Sequence, residues 1–254
     1  MWQVALLDPA DWKAKWIGLP NDGVSMPLPK DCPRLRKTFV LDKPVRRSTV
    51  SVCGLGFYEL YVNGQKADDR VLAPPNTTYS QRLLFDTIEV TTKLKEGLNA
   101  LGLWLAPGYS DDYSKYGWRW MDAKRAILQL DVVFEDGTTT SIVSDGSWRA
   151  GPSPLTFASL YDGEVYDAGL ETSGWATPEF ADESWQPVRV LNATRATLKP
   201  NLMPPIRVNQ TIRPVCRTEP KPGVFVFDMG QNFAGWVRIR ATGPPGTRIV
   251  LRHS

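Results

Sequence analysis

Tyr58-Glu59-Leu60-Tyr61-Val62-Asn63-Gly64 carries the reading of the fold. Tyr58, Leu60 and Val62 fall on every second residue, the period of an extended strand with one apolar face. Asn63-Gly64 follows at once, and Asn-Gly is the preferred two-residue hairpin turn because both residues tolerate positive φ. The same period spreads outward in both directions. Leu35, Phe39 and Leu41 share a face of an earlier strand, broken at Lys37, and Val50 and Val52 share a face of the next. Leu101, Leu103 and Leu105 form another face after Gly97-Leu98-Asn99. Leu128, Leu130, Val132 and Phe134 run into a second turn signal, Glu135-Asp136-Gly137, and Ile142-Val143 begins the return strand. Only Thr91–Lys95 suggests a helical turn. Many short strands joined by Gly and Pro turns predict an all-β chain, a jelly-roll β-sandwich followed by the start of a second β-sandwich.

The periodicity breaks at Lys199-Pro200-Asn201-Leu202-Met203-Pro204-Pro205, where paired prolines mark a linker or domain crossing. Beyond it, Val224–Phe227, Trp236–Arg240 and Thr247–Leu251 read as a new strand series. The expected organisation is an N-terminal strand and linker (1–30), a jelly-roll domain (31–200) and an incomplete second sandwich (201–254). Trp12–Gly18 is the segment expected to lend a strand to that second unit, with Trp2, Trp12 and Trp16 covering the junction. A final strand without a later partner leaves a sheet edge open, which predicts pairing of two chains through it.

Composition narrows the function classes. The 254 residues are 42% hydrophobic, enough for real cores, and the formal charge of +3 is spread thinly. Arg34, Arg36 and Lys37 lie close together, as do Arg46 and Arg47, but no polybasic tract follows, which argues against nucleic-acid binding. The lone histidine, His253, is next to the last residue, so triads and His-rich metal sites are excluded. Cys32, Cys53 and Cys216 follow no CxxC spacing and fit reduced thiols or at most one disulfide. Met1-Trp2-Gln3-Val4 has neither a basic start nor a long apolar run, so no signal peptide or membrane span is expected.

Several segments, in order, resemble the non-catalytic N-terminal part of bacterial-type α-L-rhamnosidases. They are Asp11–Gly18, Tyr58–Gly64, Leu72-Ala73-Pro74 running to Tyr79, Gly97–Gly102, and above all Tyr161–Ala168 and Asp228–Trp236. Two departures stand out. Pro74-Pro75-Asn76-Thr77-Thr78-Tyr79 replaces the family's usual Pro-Gly-Trp-Thr-Asp-Tyr, and Gly169 stands where an arginine usually follows Tyr-Asp-Ala. The resemblance implies a multidomain inverting glycosidase with β-domains before an (α/α)-barrel, acting on terminal non-reducing α-L-rhamnose. The family's acid and base are barrel carboxylates, so it implies no catalytic residue in this chain and no turnover by the chain alone. It also implies rhamnose-containing glycans or glycosides as partners.

The richest chemical cluster is Gly108–Asp122, a loop between two strands. Tyr109, Tyr113, Tyr116, Trp118 and Trp120 offer aromatic faces for a sugar ring, and Asp111 and Asp112 offer acceptors for its hydroxyls. The competing reading is that Trp118 and Trp120 pin the loop to the core. Asp111 and Asp112 also suggest a calcium site, and modules of the resembled family bind rhamnose with calcium; no cofactor is required. Asp162, Glu164 and Asp167 form a second acidic cluster, read as acceptors for backbone or Arg hydrogen bonds rather than as a hydrolytic pair.

Overall fold

The computed structural model of the chain describes residues 6, 8–19, 31–110, 124–160, 162–244 and 246–252. Two compact units divide the chain, Met1–Val208 and Asn209–Ser254. Strands in the first half of the first unit are β1 (Trp16–Gly18), β2 (Arg34–Leu41), β3 (Val45–Leu55), β4 (Phe57–Val62), β5 (Gln65–Lys66), β6 (Arg82–Glu89) and β7 (Gly97–Ala106). After them come β8 (Arg125–Phe134), β9 (Thr139–Val143), β10 (Arg149–Gly151), β11 (Leu155–Ser159), β12 (Gly163–Tyr166), β13 (Gln186–Pro187), β14 (Arg189–Leu191) and β15 (Thr197–Pro200). Thr91–Lys93 is a 3-10 turn, where the sequence suggested one.

One sheet has the order β14-β1-β8-β3-β6-β15, the other β13-β10-β2-β7-β4-β5. Pairing is antiparallel except for β15, which runs parallel to β6. Strands β1 and β9 share one side of β8 end to end, β1 against Arg125 and Ala126, β9 against Gln129–Val133. The alternating residues of the two sheets form a common core. Leu35, Phe39 and Leu41 of β2, Leu60 and Val62 of β4 and Leu101, Leu103 and Leu105 of β7 cluster with Val50 and Val52 of β3 and Leu128, Leu130 and Val132 of β8. Each such side chain contributes about 1.5–3 kcal/mol relative to leaving it in water. Lys37 has the core-facing parity of β2, and its ammonium reaches the rim, bonding the Val143 carbonyl at 3.2 Å and Asp145 at 3.1 Å.

Asn63 and Gly64 form the two-residue turn, with φ of 50° and 83°, between Val62 and Gln65. Asn63 does more than turn the chain. Its Nδ2 donates to the Lys93 carbonyl and to Asn99 Oδ1, both at 2.8 Å, and its Oδ1 accepts from the Ala100 amide at 2.8 Å. The hairpin is thereby tied to the start of β7.

Both sheets are also covered on their outer faces. Trp16, Cys53, Leu55, Leu83, Phe85 and Ile127 cluster behind the first sheet, and Trp175, Ala176 and Trp185 pack with Tyr61, Trp104 and Phe180 behind the second. Burial on two faces explains why Val50–Leu55 reads as a continuous apolar run. It also explains two glycines. A Cβ on Gly102 would lie 2.7 Å from the Trp175 ring, and one on Gly151 would fall inside the Trp185 indole. Gly151→Ala is expected to destabilise the unit by about 1–3 kcal/mol through overpacking, read as a lower urea midpoint at unchanged slope. An unchanged midpoint would show that Trp185 swings clear.

Three expectations are corrected. Trp16–Gly18 pairs with β14 and β8, and Trp12 and Trp16 join the cluster behind the first sheet, so this strand is used within the first unit. Residues 197–207 are not a bare linker. β15 lies along β6, the Val71 amide donates to the Ile206 carbonyl at 2.9 Å, and Arg207 pairs with Asp69 at 2.5 Å. In the second unit, β16 (Cys216–Lys221) and β17 (Val224–Asp228) form a hairpin, but Trp236–Arg240 and Thr247–Leu251 form no strand. An alternating segment becomes a strand only where a neighbour supplies the ladder, and those two have none among the described residues. Among the described residues the terminal strand expected to present an open edge is not formed.

Candidate functional site

The predicted loop site is reached only at its root. Gly108–Ser110 forms a 3-10 turn directly after β7, and Asp111, Asp112, Tyr113, Tyr116, Trp118 and Trp120 lie outside the described residues. Tyr109 is half-buried, edge-on to Phe57 with ring centroids 5.5 Å apart, and belongs to the cluster behind the first sheet. Tyr79 lies in the same cluster, where burial, and after it the neighbouring Tyr109, pushes its phenol well above the ordinary range.

That cluster floors a groove of about 680 Å³. Antiparallel pairing of Trp16 with Leu191 builds it by bringing the N-terminal segment beside β14. Trp12, Trp16, Ile127, Leu191 and Leu198 form its floor, and Lys15, Asn192, Thr194 and Thr197 its polar side. Trp16 is buried, whereas Trp12 is half-buried and held edge-on to Phe85 at 5.2 Å. An apolar, aromatic floor with a few polar groups at the side is the general form of a small-ligand site. Sequence reading missed this groove because its walls come from opposite ends of the unit.

Polar groups gather in two other places. Between the sheets, the Asp86 carboxylate accepts from the Tyr58 hydroxyl at 2.5 Å and Asn201 Nδ2 at 2.8 Å, and pairs with Arg70 at 2.5 Å. Burial first, and then the Asp86 charge, raises the Tyr58 phenol well above its usual value. Behind the second sheet, Arg36 is buried against Phe180, paired with Asp182 and bonded to the Thr177 carbonyl at 2.7 Å. Beside it, Arg34 lies 4.5 Å from the Trp104 ring and 5.1 Å from the Trp175 ring. Burial lowers the Arg34 pKa, opposed by Glu171 and Tyr61.

The second acidic cluster is spread along a surface hairpin, β11–β12. Asp162 bonds Ser159 at 3.2 Å, Asp167 caps a 3-10 turn through the Gly169 amide at 2.9 Å, and Glu164 is exposed. Asp162 and Asp167 thus hold local turns. Among the described residues no three His, Cys, Asp or Glu side chains are grouped to hold a metal, and the Asp111–Asp112 site lies outside those residues. No helix among them is long and apolar enough to cross a membrane.

The alpha-L-rhamnosidase N-terminal domain matches residues 43–210, and the bacterial alpha-L-rhamnosidase concanavalin-like domain matches residues 218–254. An α-L-rhamnosidase of Streptomyces avermitilis is 36% identical over 261 residues, covering 100% of this chain and 25% of its own length. The α-L-rhamnosidase structure from Dictyoglumus thermophilum superposes with a TM-score of 0.82 at 36% identity, over 91% of this chain and 27% of that one. The Streptomyces avermitilis enzyme, solved in complex with L-rhamnose, superposes with a TM-score of 0.76 at 36% identity, over 81% of this chain and 20% of that one. The chain thus spans 25–29% of the length of the curated relatives it matches. With its all-β architecture and these matches along its length, the chain belongs to the α-L-rhamnosidase family, as an N-terminal part of such a protein.

Proposed function

We propose that this chain is a glycan-binding and domain-docking portion of an α-L-rhamnosidase whose complete form removes terminal non-reducing α-L-rhamnose. Hydrolysis with inversion needs a protonated carboxyl to assist the leaving oxygen and a second carboxylate to activate water. In this reading both lie outside the chain, and its 254 residues alone turn nothing over. The observation that carries the binding role is the groove floored by Trp12 and Trp16 with Lys15 and Asn192 on its polar side. The half-buried Trp12 indole suits the apolar face of a pyranose, and the 6-methyl of rhamnose adds apolar contact. Tyr109 packs into the groove's own cluster.

The test is a titration of L-rhamnose into the chain, followed by calorimetry and tryptophan fluorescence, with calcium and again with chelator. Saturable binding that weakens in Trp12→Ala and in Trp118→Ala supports the module, and dependence on calcium and on Asp111 adds a metal at the loop. No heat at tens of millimolar sugar would sink the binding role. A purely structural β-scaffold is the second reading. It is favoured by Val224, Phe225, Val226 and Phe227 of β17, which are about half exposed and leave apolar side chains on both faces of the strand for a protein neighbour to cover.

A further inference from the structure

The outer face of the second sheet carries an ordered set of groups that no part of the groove reading uses. Cross-strand register places Arg34, Trp104 and Glu59 in one row and Arg36, Gly102, Tyr61 and Lys66 in the next. Each reactive group there is fixed by a partner. Trp104 Nε1 donates to the Cys32 carbonyl at 2.9 Å, which sets the plane of the indole. The Tyr61 hydroxyl donates to Glu59 Oε2 at 2.8 Å, and Lys66 Nζ donates to Glu59 Oε1 at 2.6 Å. Tyr61 rests edge-on against Trp175 at 5.1 Å. Burial first, and then Glu59, holds the Tyr61 phenol above its ordinary range.

The set is nonetheless open to solvent. Side chains of Glu59 and Lys66 are 37% and 38% exposed, and Glu171, 3.8 Å from Arg34 Nη2, is 49% exposed. The Arg34 side chain is 3% exposed, and its Nε and Nη1 have no hydrogen-bond partner among the described residues. Buried donors without acceptors are rare, and here the guanidinium also lies over two indoles, at 4.5 Å from the Trp104 ring and 5.1 Å from the Trp175 ring.

We propose that this face is a second saccharide-binding site, separate from the groove, for a neutral pyranose. Two carboxylates, Glu59 and Glu171, balance two cations, Lys66 and Arg34, so the site has no net charge to select an anionic or cationic ligand. A carboxylate has about four lone-pair positions, and Glu59 spends two on Tyr61 and Lys66, which leaves acceptors for sugar hydroxyls. Lys66 supplies the matching donor, and Trp104, half-buried and cross-strand from Glu59, supplies the flat apolar wall. Groups already locked in place lose little freedom when a ligand arrives.

The experiment is a nitrogen-15 spectrum of the tryptophan indoles of the whole chain, titrated with L-rhamnose. The expected result is a saturable shift of the Trp104 resonance that persists in Trp12→Ala. In Glu59→Gln, which keeps the size of the side chain, affinity read at Trp104 should fall roughly tenfold or more. In Lys66→Met it should fall as well. A Trp104 resonance unmoved at tens of millimolar sugar overturns the site, as does an equal shift in Glu59→Gln. Movement of Trp12 without Trp104 leaves the groove reading intact and removes this one. Movement of Trp104 without Trp12 does the reverse.

Discussion

Asp182→Ala is expected to lower the melting temperature of the first unit by about 6–20 °C, equivalent to about 3–5 kcal/mol in a unit of this size. The reason lies in what the carboxylate leaves behind. Arg36 has 1% of its side chain exposed, and its Nη1 is paired with Asp182. Arg149 Nε reaches the other oxygen of the same carboxylate at 3.5 Å. Without Asp182, the buried guanidinium keeps, among the described residues, only the Thr177 carbonyl, at 2.7 Å from Nη2, and its Nε has no hydrogen-bond partner among them. A buried ion pair adds little over an apolar pair of the same shape, but half of one is costly. Two further variants separate these effects. Asp182→Asn keeps an acceptor and should lose less than Asp182→Ala. Arg36→Met in the Asp182→Ala background should recover part of the loss, because the orphaned charge is gone. Thermal melts followed by tryptophan fluorescence suit the measurement, since Trp175 and Trp185 stack 6.4 Å apart in the same cluster. A drop in Asp182→Ala no larger than that of a typical surface substitution would show that the pair is hydrated and screened.

The strands of the first unit were legible because their signal is local. Leu128, Leu130 and Val132 alternate within one segment, and Asn63-Gly64 is a turn whatever the rest of the chain does. What covers the outer faces was not legible. Arg36 and Asp182 are 146 residues apart, and nothing near Arg34 and Arg36 marks them as buried rather than as a small basic patch. Trp175 and Trp185, ten residues apart in a segment without strand periodicity, stack on one another and face glycines on β7 and β10. The groove depends on Trp16 meeting Leu191, a pairing with no trace in either segment alone. In the second unit the alternation at Trp236–Arg240 was real but insufficient, since period two describes a face and not its hydrogen-bond partner. Of the loop site, the sequence marked the residue types, and the structure places Tyr109 at its root.

Asp86→Ala should destabilise the first unit by about 3–5 kcal/mol and, as a separate signature, expose the segment around Asn201 to proteolysis. Asp86 sits on β6 of the first sheet and Tyr58 on β4 of the second, so their 2.5 Å hydrogen bond ties the sheets together inside the sandwich. Arg70, from the loop after β5, and Asn201, directly after β15, converge on the other oxygen. The carboxylate is 4% exposed, and a pocket of about 30 Å³ beside it, lined by Arg70, Asn201 and Pro205, is large enough for a water molecule. Removing it strands a phenol, a guanidinium and an amide at once. One water could satisfy part of that set, but it carries no charge to answer Arg70. Asn201 would lose its tether to Asp86, leaving its amide bond to the Phe85 carbonyl at 2.8 Å, β15, the Val71–Ile206 hydrogen bond and the Arg207–Asp69 pair to hold the segment. Limited proteolysis with cleavage mapped between residues 200 and 208 tests this directly. If cleavage is unchanged while stability falls, Asp86 serves the sandwich alone and the segment is held by β15 and by the Val71–Ile206 and Arg207–Asp69 contacts. If both change together, a single carboxylate sets the stability of the domain and the path of the chain leaving it.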